Sequence, residues 1–133
     1  MKFKYFLISA MLFAAATGSA WAAESKESTF QQTCSNIGFV YSGNLPAVQA
    51  VCLRNDGTPN NTLLVITGVT LFHGELLRST GESDFQKRCG NIKIVVYQFV
   101  VSLVAYCPND LGNSHTTSIS LTGISNNNGN LTY

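Results

Sequence analysis

Phe30-Gln31-Gln32-Thr33-Cys34-Ser35-Asn36-Ile37 and Phe85-Gln86-Lys87-Arg88-Cys89-Gly90-Asn91-Ile92 carry Phe, Gln, Cys, Asn and Ile at matching places, 55 positions apart. Each leading cysteine is followed 18 positions later by a second one, Cys52 and Cys107. Working outward without a gap, Ala50 falls on Ala105, Gly57 on Gly112 and Thr62 on Thr117. Thr67-Gly68 then falls on Thr122-Gly123, Gly74 on Gly129 and Leu76 on Leu131. A gapless register over about 50 residues marks an internal duplication.

Four cysteines permit three pairings. Equivalent repeats form equivalent bridges, which selects Cys34 with Cys52 and Cys89 with Cys107. Each bridge closes a short loop and should stabilise the fold by about 3 kcal/mol through the unfolded chain. That contribution matters, because a repeat of roughly 50 residues has only a marginal core alone.

The even cysteine count suits an oxidising compartment, and the N-terminus agrees. Lys2 and Lys4 precede an apolar run from Tyr5 to Ala16, and Ala20-Trp21-Ala22 gives a small-x-small cleavage pattern. Residues 1–22 therefore read as a signal peptide and 23–133 as the mature chain, secreted or periplasmic. The apolar run is shorter than the ~20 residues a membrane span needs. The mature part holds 6 basic and 7 acidic residues, so nothing in its charge favours nucleic acid or anionic lipid. A neutral surface rich in Asn, Thr, Ser and Gly suits uncharged polyhydroxyl ligands, and equally ordinary solvated loops.

The local pattern is that of strands. Val48 to Leu53 alternates, and Leu63-Leu64-Val65-Ile66-Thr67 is a short apolar run. Asn55-Asp56-Gly57 and Asn109-Asp110-Leu111-Gly112 are turn clusters. No mature segment sustains a helical period, leaving room only for short helical turns. Ile92 to Tyr106 lacks turn residues, yet by equivalence with Ile37 to Val51 it should be a hairpin bending near Tyr97-Gln98-Phe99. Aromatic side chains there are either tucked against the neighbouring repeat, the favoured reading, or exposed as a contact patch.

The paired 18-residue cysteine spacing, the Phe-x-x-x-Cys-x-Asn-Ile openings and the closing Ile124-Ser125-Asn126-Asn127-Asn128-Gly129-Asn130-Leu131 together resemble the cyanovirin-N homology family of lectins. The resemblance covers about Ser28 to Tyr133, with one residue missing between Leu121 and Ile124 and a slightly long linker between repeats. It implies an all-β, elongated, pseudo-symmetric fold of two strand-exchanging repeats, about 28–78 and 83–133. It implies a non-catalytic, cofactor-free protein that binds oligomannose-type glycans near its two ends.

Carried over position by position, the two ends differ. One end keeps Gln32-Thr33 before the first cysteine and Asn126-Asn127-Asn128-Gly129 in the tail, with Asn55 nearby. Leu53 stands where the family has an acidic side chain. These residues form the expected carbohydrate site, since Asn, Gln and Thr supply the paired donors and acceptors that vicinal hydroxyls need. At the other end the tail motif reads Leu71-Phe72-His73-Gly74, Lys87-Arg88 precede the cysteine, and Pro108 follows the second one. That end should have lost its site or changed specificity.

The competing reading is a protein-interaction or structural module on the same scaffold, with Leu71, Phe72, Tyr97 and Phe99 as adhesive positions. Catalysis is disfavoured: His73 and His115 have no carboxylate or nucleophile at motif spacing. With no CxxC spacing, a metal site is disfavoured too. The chain should be mainly monomeric, although strand exchange around Leu77–Gly81 can in principle produce a swapped dimer.

Overall fold

The computed structural model describes residues 26–133, so the signal-peptide reading lies outside the described residues. Strands β1 (Cys34–Ser42), β2 (Leu45–Leu53) and β3 (Pro59–Val65) form one antiparallel sheet, and β4 (Thr67–Phe72) and β5 (Glu75–Glu82) form a hairpin. The second repeat follows the same order. Strands β6 (Gly90–Tyr97), β7 (Val100–Pro108) and β8 (Ser114–Ser120) make its sheet, and β9 (Ser125–Asn127) and β10 (Asn130–Thr132) its hairpin. Each repeat opens with a single 3-10 turn, Phe30–Gln32 and Phe85–Lys87.

The hairpins are exchanged. The backbone N–H of Leu131 on β10 donates to Thr62 Oγ1 on β3 at 3.0 Å, while that of Leu76 on β5 donates to Thr117 Oγ1 on β8 at 3.2 Å. Each sheet is thus covered by the hairpin of the other repeat. Phe30 and Phe85, Val48 and Leu103, Ala50 and Ala105, Ile66 and Leu121, Val69 and Ile124, and Leu76 and Leu131 are all buried. Every one of these pairs is related by the 55-residue offset, so the duplication supplies one common core. Burying a side chain of this size contributes about 1.5–3 kcal/mol, and neither half can bury its own set alone.

Local geometry explains the repeated motif. Asn36 (φ 51°) and Asn91 (φ 47°) take the left-handed conformation that Asn tolerates, inside bulges between Ser35 and Gly38 and between Gly90 and Lys93. Both disulfides pair as the repeat requires, Cys34 with Cys52 and Cys89 with Cys107. The segment Leu77–Gly81, read from sequence as a linker, runs instead as the outer part of β5, where Glu82 still pairs with Thr67.

The two β-hairpin tips differ. Between β1 and β2 the corner is Gly43 (φ 64°), which adopts positive φ without penalty. Between β6 and β7 both corner residues, Gln98 (φ 48°) and Phe99 (φ 71°), are left-handed, where each costs roughly 1–2 kcal/mol. The bend falls where the repeat places it, but the tucked reading of its aromatic residues fails. Phe99 is 79% exposed because a corner residue of a two-residue turn lies outside both strands, and Tyr97, the last residue of β6, is 69% exposed beside it.

Candidate functional site

At one end of the fold three pieces of chain converge: the exit of the first 3-10 turn, the loop after β2, and the β9–β10 turn. Asn126 ties them together. Its Nδ2 donates to Thr33 Oγ1 and to the Leu53 carbonyl, each at 2.9 Å, and its Oδ1 accepts from Gly129 N at 2.7 Å. Both amide protons are therefore spent inside the protein. Asn128, left-handed at φ 50°, accepts the backbone N–H of Asn55 on its Oδ1 at 2.8 Å.

The structure thus re-sorts the sequence-derived set. It brings Thr33, Asn55, Asn126 and Asn128 together, with Gln32 and Asn127 next to them in the chain. Asn126 is a bracket whose amide hydrogens are already committed. The groups left facing solvent are the Thr33 hydroxyl proton, the Asn128 amide hydrogens, and the side chains of Gln32, Asn55 and Asn127, all exposed residues. Leu53 brings no side-chain acceptor, yet its carbonyl fixes Asn126.

Two supporting residues escape a reading by motif. Asn60 Nδ2 donates to the Gly129 carbonyl at 2.8 Å, and Arg54 Nη2 donates to Asn60 Oδ1 at 2.8 Å. Together they clamp the β9–β10 turn to the loop after β2. Asp56 closes that loop by accepting from the Thr58 hydroxyl at 2.6 Å, and this bond is the main cause that holds its carboxyl below the usual value. The repeat offset puts Asn60 on His115 and Arg54 on Asn109, so the duplication carried no signal for this clamp.

The opposite end keeps the frame and changes the chemistry. Leu71 stands at the place of Asn126 and offers no polar bracket. The latch between tail turn and loop is a His73 Nδ1 hydrogen bond to Asp110 Oδ2, in place of Asn128 and Asn55. His115 Nε2 bonds Glu75 Oε2 at 2.9 Å, and the Thr117 hydroxyl donates to Glu75 Oε1 at 2.9 Å. These two bonds, the histidine's first, hold the Glu75 carboxyl below its ordinary value. Both histidines therefore do have carboxylate partners, brought together from 37 and 40 residues away, which motif spacing did not reveal. Phe72 packs edge-on against His73 with ring centroids 4.0 Å apart. Lys87 and Arg88 stand at the places of Gln32 and Thr33. The neutral Gln, Thr and Asn set of the first end is replaced here by Lys, Arg, Asp, Leu and His.

A family model, the CVNH domain, matches residues 30–132. Among solved structures, a microvirin–mannobiose complex is 29% identical, with a TM-score of 0.58 over 78% of this chain and 96% of that one. CVNH proteins of N. crassa and Gibberella zeae share the fold at 19% identity, with TM-scores of 0.62 and 0.59. They cover 78% and 79% of this chain, and each is matched over 96% of its own length. No curated protein matches by sequence. The chain belongs to the cyanovirin-N homology (CVNH) family.

Proposed function

We propose that this protein is an exported, non-catalytic lectin that binds mannose-type glycans through one site per chain. The site is the Gln32, Thr33, Asn55 and Asn126–Asn128 end. The observation that carries this reading is the Asn126 bracket: it aligns neutral hydroxyl and carboxamide groups at one end and has no equivalent at the other. The mannobiose bound to microvirin supports the ligand class. A solved CVNH3 variant holds an N-acetylglucosamine tetramer, which makes that sugar the natural control ligand. Two disulfides support export, with residues 1–22 removed as the leader.

Single sites that read neutral hydroxyls bind modestly, since a net hydrogen bond contributes only ~1 kcal/mol. A chain that is mainly monomeric with one site forgoes the ~10²- to 10⁴-fold gain of bivalency. Calorimetric titration with α-mannobiose should give a stoichiometry near one, unchanged by Leu71→Ala or His73→Ala. A stoichiometry near two, or binding of the N-acetylglucosamine oligomer alone, would overturn the assignment.

A further inference from the structure

The β6–β7 tip is built differently from its counterpart, and it stands beside the proposed glycan site. Gln31 Nε2 donates to the Phe99 carbonyl at 2.7 Å and to the Ser28 carbonyl at 2.8 Å. Gln86 makes the equivalent bonds to Asn44 and Ser83 at 3.3 and 3.0 Å. Around Gln86 these contacts enclose a concavity lined by Tyr41, Gly43, Asn44, Gln86 and Lys87. The 55-residue offset carries Asn44 onto Phe99 and Lys87 onto Gln32. The same arrangement at the first end therefore sets the Phe99 tip next to Gln32, at the margin of the glycan site.

What differs is the side chain presented. The first-repeat tip offers glycine and asparagine; this one offers Phe99, with its carbonyl tethered and the residue as a whole 79% exposed. Left-handed geometry at both Gln98 and Phe99 keeps the ring outside the hairpin. A turn that folds readily on glycine and asparagine has no conformational reason to carry phenylalanine. Backbone strain maintained at an exposed position is a recurrent mark of a functional contact. Sugar sites combine a few polar groups that read hydroxyls with an apolar or aromatic wall. Among the described residues, the segments that meet at Asn126 supply polar groups and bring no exposed aromatic side chain of their own.

We propose that Phe99 is that wall: its ring stacks on the apolar C–H face of a sugar residue whose neighbour occupies the Thr33–Asn128 site. The tip then makes the site an extended one, selecting oligosaccharides over single sugars. This inference rests on the glycan-binding reading above, and the experiment separates the two.

Mannotriose is titrated into the protein and into Phe99→Ala and Phe99→Trp variants. Phe99→Ala should lower affinity about five- to tenfold, the typical effect of losing one aromatic contact, with stoichiometry unchanged. Phe99→Trp should retain binding. Trp21, the only tryptophan of the chain, leaves with the 1–22 leader, so Phe99→Trp gives the mature protein one reporter, whose emission should shift on saturation with mannotriose. The Gln31 bond is to the backbone carbonyl, so these variants keep the tether. If the unaltered protein binds mannotriose, Phe99→Ala binds it equally well and the tryptophan reporter does not respond, the stacking role is wrong while the lectin reading stands. If the unaltered protein binds no mannoside, both fall. Emission that shifts with protein concentration instead of sugar assigns the tip to a second copy of the chain and overturns the proposal.

Discussion

Asn126→Ala should weaken mannobiose binding about 30- to 150-fold, the largest loss expected of any single change at the site. One carboxamide makes three hydrogen bonds, to Thr33, Leu53 and Gly129, and so ties the β9–β10 turn to the two segments that the Cys34–Cys52 disulfide already holds together. Alanine frees the Thr33 hydroxyl to rotate and releases the turn that orients Asn128. Each sugar contact then has to be made from a group that is no longer held in place. Loss of two or three such contacts, at ~1 kcal/mol each, accounts for the estimate. The cost in stability should be smaller, about 1–2 kcal/mol, because water can replace the lost partners at a half-exposed position. Calorimetry beside urea unfolding separates the two effects. Asn128→Ala removes only the Asn55 latch and the free amide, and should cost about tenfold. If Asn126→Ala binds normally, the site is not at this end.

The repeat register was the most informative feature of the sequence. It selected the disulfides, and it also relates the core residues pairwise, because a duplicated chain meets the same burial requirement twice. Phe30 and Phe85 illustrate this: each opens its repeat's 3-10 turn and is wholly buried. The candidate site was legible as residues that the fold brings together, but not as a division of labour among them. Whether Asn126 reads sugar or holds the frame depends on its distance from Thr33 and Leu53, which lie 93 and 73 residues away. Nothing local encodes that distance. The pairing of His115 with Glu75 is hidden for the same reason: strand exchange juxtaposes β5 and β8, and no motif spans both. Exposure of Phe99 was the less favoured of the two readings because hydrophobicity predicts burial. At a two-residue corner, left-handed geometry overrides that preference.

Gly74→Ala should be strongly destabilising, costing about 3–4 kcal/mol from left-handed strain and overpacking together. Gly74 has φ 88°, and a Cβ there would lie 2.8 Å from both Asn109 Cβ and His115 Cε1, and 3.0 Å from Asn109 Cα. Neither neighbour is free to retreat. Asn109 Oδ1 accepts the backbone N–H groups of Leu111 and Asn113, so moving it opens the β7–β8 loop. His115 is bonded to Glu75, one residue from Gly74 itself. Gly81 supplies the control, since its φ is 81° but nothing lies within 4 Å of the added carbon. Gly81→Ala should therefore cost only the left-handed penalty, about 1 kcal/mol. Urea unfolding of the two variants, with equal m-values, measures the difference between strain alone and strain plus collision. Equal midpoints would mean that the Asn109 loop yields without cost and that this end is loosely packed. The expected gap would show that the Leu71–His73 end, without the Asn126 bracket, is still held to close-packed tolerances. Gly74→Ala should then leave mannobiose affinity at the opposite end unchanged in the protein that remains folded.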